Sequence, residues 1–164
     1  MLPGVPVLVH DACIGGEGRL RAALFGLVTV ADLRGTLDMA QGELLRFLAE
    51  AVWYPTALLP GQGVSWEAAD AQCARATLTD GAVTVSLDFS FDEQGLVAGI
   101  DARARGRTVG GQTVPTPWRG RFWGYQDRGG MLVPLNGEAA WMLLDGMHPY
   151  WRGEMTSIVH AYAD

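Results

Sequence analysis

Lysine does not occur in this sequence: all 12 basic residues among its 164 are arginine. That excludes chemistry built on an ε-amine, including Schiff-base catalysis and the phosphate-binding lysine of P-loop enzymes. Cysteine is almost as scarce. Cys13 and Cys73 stand far apart with neither metal nor redox spacing, and read as two buried thiols or as one disulfide. No run approaches 18 apolar residues, so no helical membrane span is expected. The first residues lack the charged start and continuous apolar core of a signal peptide. Together these absences predict a cytoplasmic chain. Charge is sparse at 18% and the net charge is −6, which argues against a nucleic-acid partner. The histidines, His10, His148 and His160, have no spacing that would gather three ligands, so neither a metal nor another cofactor is expected. There is no Gly-x-Ser-x-Gly elbow. Gly15–Gly18 and Gly110-Gly111 lack the strand–loop–helix context of a phosphate cradle and read as turns.

Apolar residues are plentiful, at 49%, enough for one domain over residues 1–164. The clearest helix runs from about Met39 to Trp53, with Asp38 as N-cap, Gln41 completing a capping box and Pro55 as the stop. Leu44, Leu45, Leu48 and Val52 form its apolar stripe, while Glu43, Arg46 and Glu50 are spaced to pair on the other side. The rest reads as strands. Leu2–Ala12 suits an edge strand, and Arg19–Ala31 a mixed apolar strand run with a bulge at Gly26, helix being the competing reading for part of it. From Val64 onward the pattern is a meander with turns at Thr79–Gly81, Asp92–Gly95 and Arg128–Gly130. Val83, Val85, Leu87, Phe89 and Phe91 alternate along its cleanest strand. Arg103, Arg105 and Arg107 alternate along another, as a solvated face or an anion-contacting patch. Gly106–Pro117 reads as a glycine-rich loop, followed by strands over Trp118–Gln126, Met131–Pro134, Ala139–Leu144 and Arg152–Tyr162. The fold class is mainly β with one main helix (α+β): an antiparallel open half-barrel or flattened barrel of about eight or nine strands covered by a helix.

One phrase recurs. Pro117-Trp118-Arg119-Gly120 returns, with an inserted aromatic, as Pro149-Tyr150-Trp151-Arg152-Gly153. On a strand, the Trp and Arg of each copy point to opposite faces. Together with the segment Gly42–Pro60 and Val64-Ser65-Trp66, these phrases resemble a widespread bacterial family of uncharacterised proteins carried as a domain of unknown function. The resemblance spans nearly the whole chain. It implies that the chain is a short form or a C-terminal fragment of a longer family domain. The architecture is also similar to the LolA- and LolB-like periplasmic lipoprotein carriers, a likeness of fold only.

Six tryptophans near prolines and arginines point to an aromatic-lined cavity for an apolar or amphipathic, lipid-like small molecule. The candidate lining is Trp53, Tyr54, Trp66, Trp118, Phe122, Trp141, Tyr150 and Trp151, with Arg119 or Arg152 at a polar end. Equally, Trp53–Pro60 reads as a core plug, and the two arginines as structural ion-pair partners of Glu43, Glu50, Glu138 or Glu154. Asp88 and Asp101 are expected to meet Arg75 or Arg103 across strands. A hydrolase is the first alternative, with Glu43, Glu50 and His160 as polar candidates in the same cavity. The second is an interaction module, a homodimer joined through an open sheet edge.

Overall fold

A computed structural model describes the backbone of residues 7–14, 17–24, 28–34 and 37–161, and side chains from Leu37 to Ala161. Among these residues, strands β1 (Val7–Ile14), β2 (Glu17–Leu24) and β3 (Val28–Arg34) form one small antiparallel sheet. Helix α1 (Leu37–Glu50) follows. Seven further strands then form an open antiparallel meander: β4 (Val64–Ala68), β5 (Cys73–Asp80), β6 (Val83–Phe91), β7 (Val97–Val109), β8 (Gln112–Arg128), β9 (Met131–Leu143) and β10 (Gly146–Glu154). Their spatial order is the reverse of their chain order, β10-β9-β8-β7-β6-β5-β4, so each connection is a hairpin or short loop. The half-barrel with a covering helix is therefore present, with its strands divided between two sheets.

The core lies between α1 and the long sheet. Leu44, Leu45 and Leu48 recur at helical spacing and are buried. They meet Val83, Val85, Leu87 and Phe89, which recur at strand spacing on β6. Each such side chain is worth roughly 1.5–3 kcal/mol of hydrophobic stabilisation. On the helix surface Arg46 pairs with Glu50 at 2.8 Å and with Glu43 at 3.9 Å, as their spacing predicts.

Several local expectations are corrected. Asp38 lies inside the first turn of α1 and not at its cap. Pro55 does not stop the helix: α1 ends at Glu50, and Ala51–Trp53, Pro55–Leu58 and Pro60–Gln62 continue as three short 3₁₀ turns. Proline suits the first position of such turns because it lacks the N–H that would go unpaired there. The Arg19–Ala31 run is a hairpin of β2 and β3, and its Gly26 lies outside the described residues. The turn after β5 is Gly81-Ala82, one residue later than the Asp-Gly signal implies. Gly106–Pro117 is no loop; β7 and β8 continue through it and turn at Gly110-Gly111, both at positive φ (58° and 81°). Met131–Leu143 is one strand. The final strand is displaced upstream to Gly146–Glu154, and residues 155–161 are irregular.

Two bulges decide where the site residues point. In β7 one extra residue sits between Ala102, opposite Trp118, and Arg105, opposite Thr116. A one-residue insertion turns every later side chain to the other face. Arg103 therefore stays on the outer face, 3.7 Å from Asp88, while Arg105 and Arg107 turn to the helix side. The expected single arginine face is split by that bulge. In β10 the register slips between Pro149 and Trp151, making Tyr150 the extra residue. The aromatic that distinguishes the second Trp-Arg-Gly phrase is itself the bulge, beside a proline that cannot donate to a ladder.

Candidate functional site

The two Trp-Arg-Gly phrases put their residues on opposite faces, as strand alternation requires. Trp118 is buried on the helix side, and Arg119 pairs with Asp101 at 2.7 Å on the outer face. Arg152 joins Arg121 on Glu138, whose side chain is only 1% exposed; both guanidinium Nε atoms donate at 3.1 Å. These cations do not reach the helix acids. The two arginines first, by hydrogen bonds from Arg152 and then Arg121, hold the Glu138 carboxyl below the ordinary range. On the same face Arg75 binds Asp88 through two hydrogen bonds of 2.6 and 2.8 Å and lowers that carboxyl as well.

The glycine of each phrase has a steric reason. A Cβ on Gly153 would stand 2.5 Å from Cζ2 of Trp151, and one on Gly120 would stand 2.8 Å from Cγ1 of Ile100 and 3.4 Å from Cη2 of Trp118. Two residues apart on one strand face, the tryptophan ring folds over the bare glycine backbone. Gly137, next to Gly153 on β9, extends that paving: its Cβ would lie 3.1 Å from Trp53 and 3.2 Å from Trp151.

Between the end of α1 and strands β7–β10 lies a cavity of about 570 Å³, within the range of small-molecule sites. Trp53, Ile100, Trp118, Phe122, Ala139 and Trp151 give it apolar walls. Trp53 meets Phe122 and Trp151 edge-on, with ring centres 5.4 and 6.3 Å apart, and its Nε1 donates to the carbonyl of Pro134 at 2.9 Å. Arg46, Glu50, Arg105, Glu138 and Tyr150 are its polar lining residues. The Arg105 guanidinium lies 4.9 Å from the centre of the Trp118 ring, a cation–π contact. The Tyr150 hydroxyl accepts hydrogen bonds from Trp118 Nε1 (2.8 Å) and Arg105 (3.4 Å). Tyr150 also stacks on Trp141, with Arg107 5.9 Å from the other ring's centre.

Of the residues expected to line one cavity, Glu50, Trp53, Trp118, Phe122, Tyr150 and Trp151 do so. The others stand elsewhere. Trp66 packs on Phe89 in the core and donates to Leu58 O at 2.8 Å. Tyr54 donates to Phe47 O at 3.1 Å, and burial raises its hydroxyl pKa well above the ordinary value. Glu43, paired with Arg46, is raised by desolvation, partly offset by Arg105. His160 bonds the carbonyl of Trp53 at 3.0 Å and ties the tail to the 3₁₀ turn. Arg119 and Arg152 face away, and Trp141 stands beside the site, stacked on Tyr150 and opposite Trp118 across the strands. Sequence reasoning placed Arg105 with Arg103 and Arg107 on one solvated or anion-contacting face and missed its place in the cavity, because the bulge that turns it inward carries no glycine or proline of its own.

No curated protein and no solved structure matches this chain. A family model does match it, over residues 1–160. With that match spanning nearly its whole length, the chain belongs to DUF6920, a family of unknown function.

Proposed function

We propose that the protein binds an apolar or amphipathic, lipid-like small molecule in the cavity between α1 and β7–β10. The observation that carries this is the cavity itself: about 570 Å³, walled by tryptophan, phenylalanine and isoleucine, with Arg46, Glu50, Arg105, Glu138 and Tyr150 as its polar lining residues. Apolar walls with few convergent polar groups are the usual composition of a small-molecule site. The likeness to lipoprotein carriers expected from the sequence is one of architecture only and adds no weight. Titration with straight-chain amphiphiles of increasing length, followed by tryptophan emission, tests the proposal. Saturable change for some chain lengths is expected; no change at any length contradicts it.

Nothing comparable favours a hydrolase. Glu43, Glu50 and Glu138 each have an arginine partner, and no unpaired acid stands over the apolar floor among the described residues. The interaction reading has one observation in its favour. Strand β10 forms an edge of the long sheet and is exposed along most of its length, with Tyr150 at 52% and Trp151 at 46%. A second copy pairing along β10 would cover both aromatics. Solution mass checks this: a dimer supports edge pairing, a monomer at high concentration opposes it.

A further inference from the structure

Resting on that cavity, the geometry points to the class of ligand: we infer that it is an anionic amphiphile, its acid head held by Arg105 and Tyr150 and its chain lying toward Trp53. Three observations converge. Among the described residues no carboxylate lies within ion-pair distance of Arg105, whereas Arg46, Arg75, Arg119, Arg121 and Arg152 each hold one. The Arg105 guanidinium is nonetheless fixed, spread on the Trp118 ring with one N–H on the Tyr150 oxygen. A half-buried cation held on an aromatic face, with no carboxylate at ion-pair distance among the described residues, keeps donors available for one.

Tyr150 adds the second donor. Its oxygen accepts from Trp118 and Arg105, so its own O–H proton is not used by either bond. Both residues were brought here by bulges, one in β7 and one in β10, on strands that are not neighbours in the sheet. A carboxylate or a phosphate monoester offers the acceptor oxygens this pair needs. From the same cavity Trp53, Phe122 and Trp151 offer aromatic ring surface, which suits the alkyl chain. Glu50 is bonded to Arg46 at 2.8 Å, and Glu43, whose carboxyl feels Arg105 from beyond ion-pair distance, also pairs with Arg46.

The test compares dodecanoate, dodecyl phosphate, 1-dodecanol and dodecylamine below their aggregation limits, by tryptophan emission and by calorimetry. In the natural protein both acids are expected to bind about tenfold or more tighter than the alcohol, and the amine weakest, as charge-assisted hydrogen bonds imply. Arg105→Met removes the guanidinium, so acid affinity is expected to fall further than alcohol affinity and the acid preference to disappear. Tyr150→Phe is expected to reduce the preference in part. Because the acid-to-alcohol ratio is read first in the natural protein, the inference stays testable if a variant fails to fold. Equal affinity for acid and alcohol overturns the inference but leaves the cavity reading standing, as does an acid preference that survives in Arg105→Met. Binding of none of the four overturns both.

Discussion

Glu138 shows how a single residue can report on the whole outer face. Its carboxylate is buried beneath two arginines from neighbouring strands, and its ionisation is favoured by both. A carboxyl whose folded-state pKa lies below the ordinary value of about 4.3 stabilises the fold above that pH. That contribution is lost as the pH falls through the folded-state value. Glu138→Gln is therefore expected to unfold more readily at pH 7 and to show a shallower loss of stability below pH 4 than the natural protein; thermal melts across pH 2–7 check both. A variant with an unchanged acid limb would remove Glu138 from the account. The same scale explains the repeated phrase. The indole of Trp151 rests on Gly153, where a Cβ would come within 2.5 Å of the ring. Gly153→Val is expected to cost about 1–3 kcal/mol by overpacking, with a red shift in tryptophan emission as Trp151 is pushed into water.

Among the elements, helix α1 was the most legible in the sequence. The period of Leu44, Leu45 and Leu48 identified both the helix and its buried face, because burial and spacing agree there. Leu48, fully buried, is the clearest probe: Leu48→Ala is expected to cost about 2–5 kcal/mol, read as a lowered denaturant midpoint with little change in slope. Strand β6 was equally legible for the same reason, and so were the Asp92–Gly95 and Gly129-Gly130 turns, which carry their own local hydrogen bonds. What failed was local. Glycine and proline between residues 106 and 117 suggested a loop, yet cross-strand pairing of Arg107 with Val114 and Thr108 with Thr113 carries the chain through as a hairpin. Tertiary pairing overrode propensity, as it commonly does in strands. The bulges were legible only in part. Pro149 and the extra Tyr150 marked the second, while nothing in Ala102-Arg103-Ala104-Arg105 announced the first. That is why Arg119 and Arg152 were proposed for the polar end and Arg105 holds it.

At the scale of the molecule, an open sheet with a helix across it leaves space wherever the helix ends before the sheet does. Here α1 stops at Glu50, the sheet runs on to β10, and the cavity lies at that end. The aromatic composition that made a site expected in the sequence is thus divided. Trp66 and most of Trp118 serve the core, while Trp53 and Trp151 stand over glycines at the cavity wall. The most direct test of whether this space is a binding site is a dodecanoate titration of the natural protein beside Ala49→Phe. Ala49 is buried at the cavity wall on α1, and a phenyl ring there would occupy the space. Saturable one-to-one binding that Ala49→Phe abolishes, while the variant retains a cooperative melt, is the predicted result. Absence of saturable binding, or binding that the filled cavity leaves unchanged, would contradict the account.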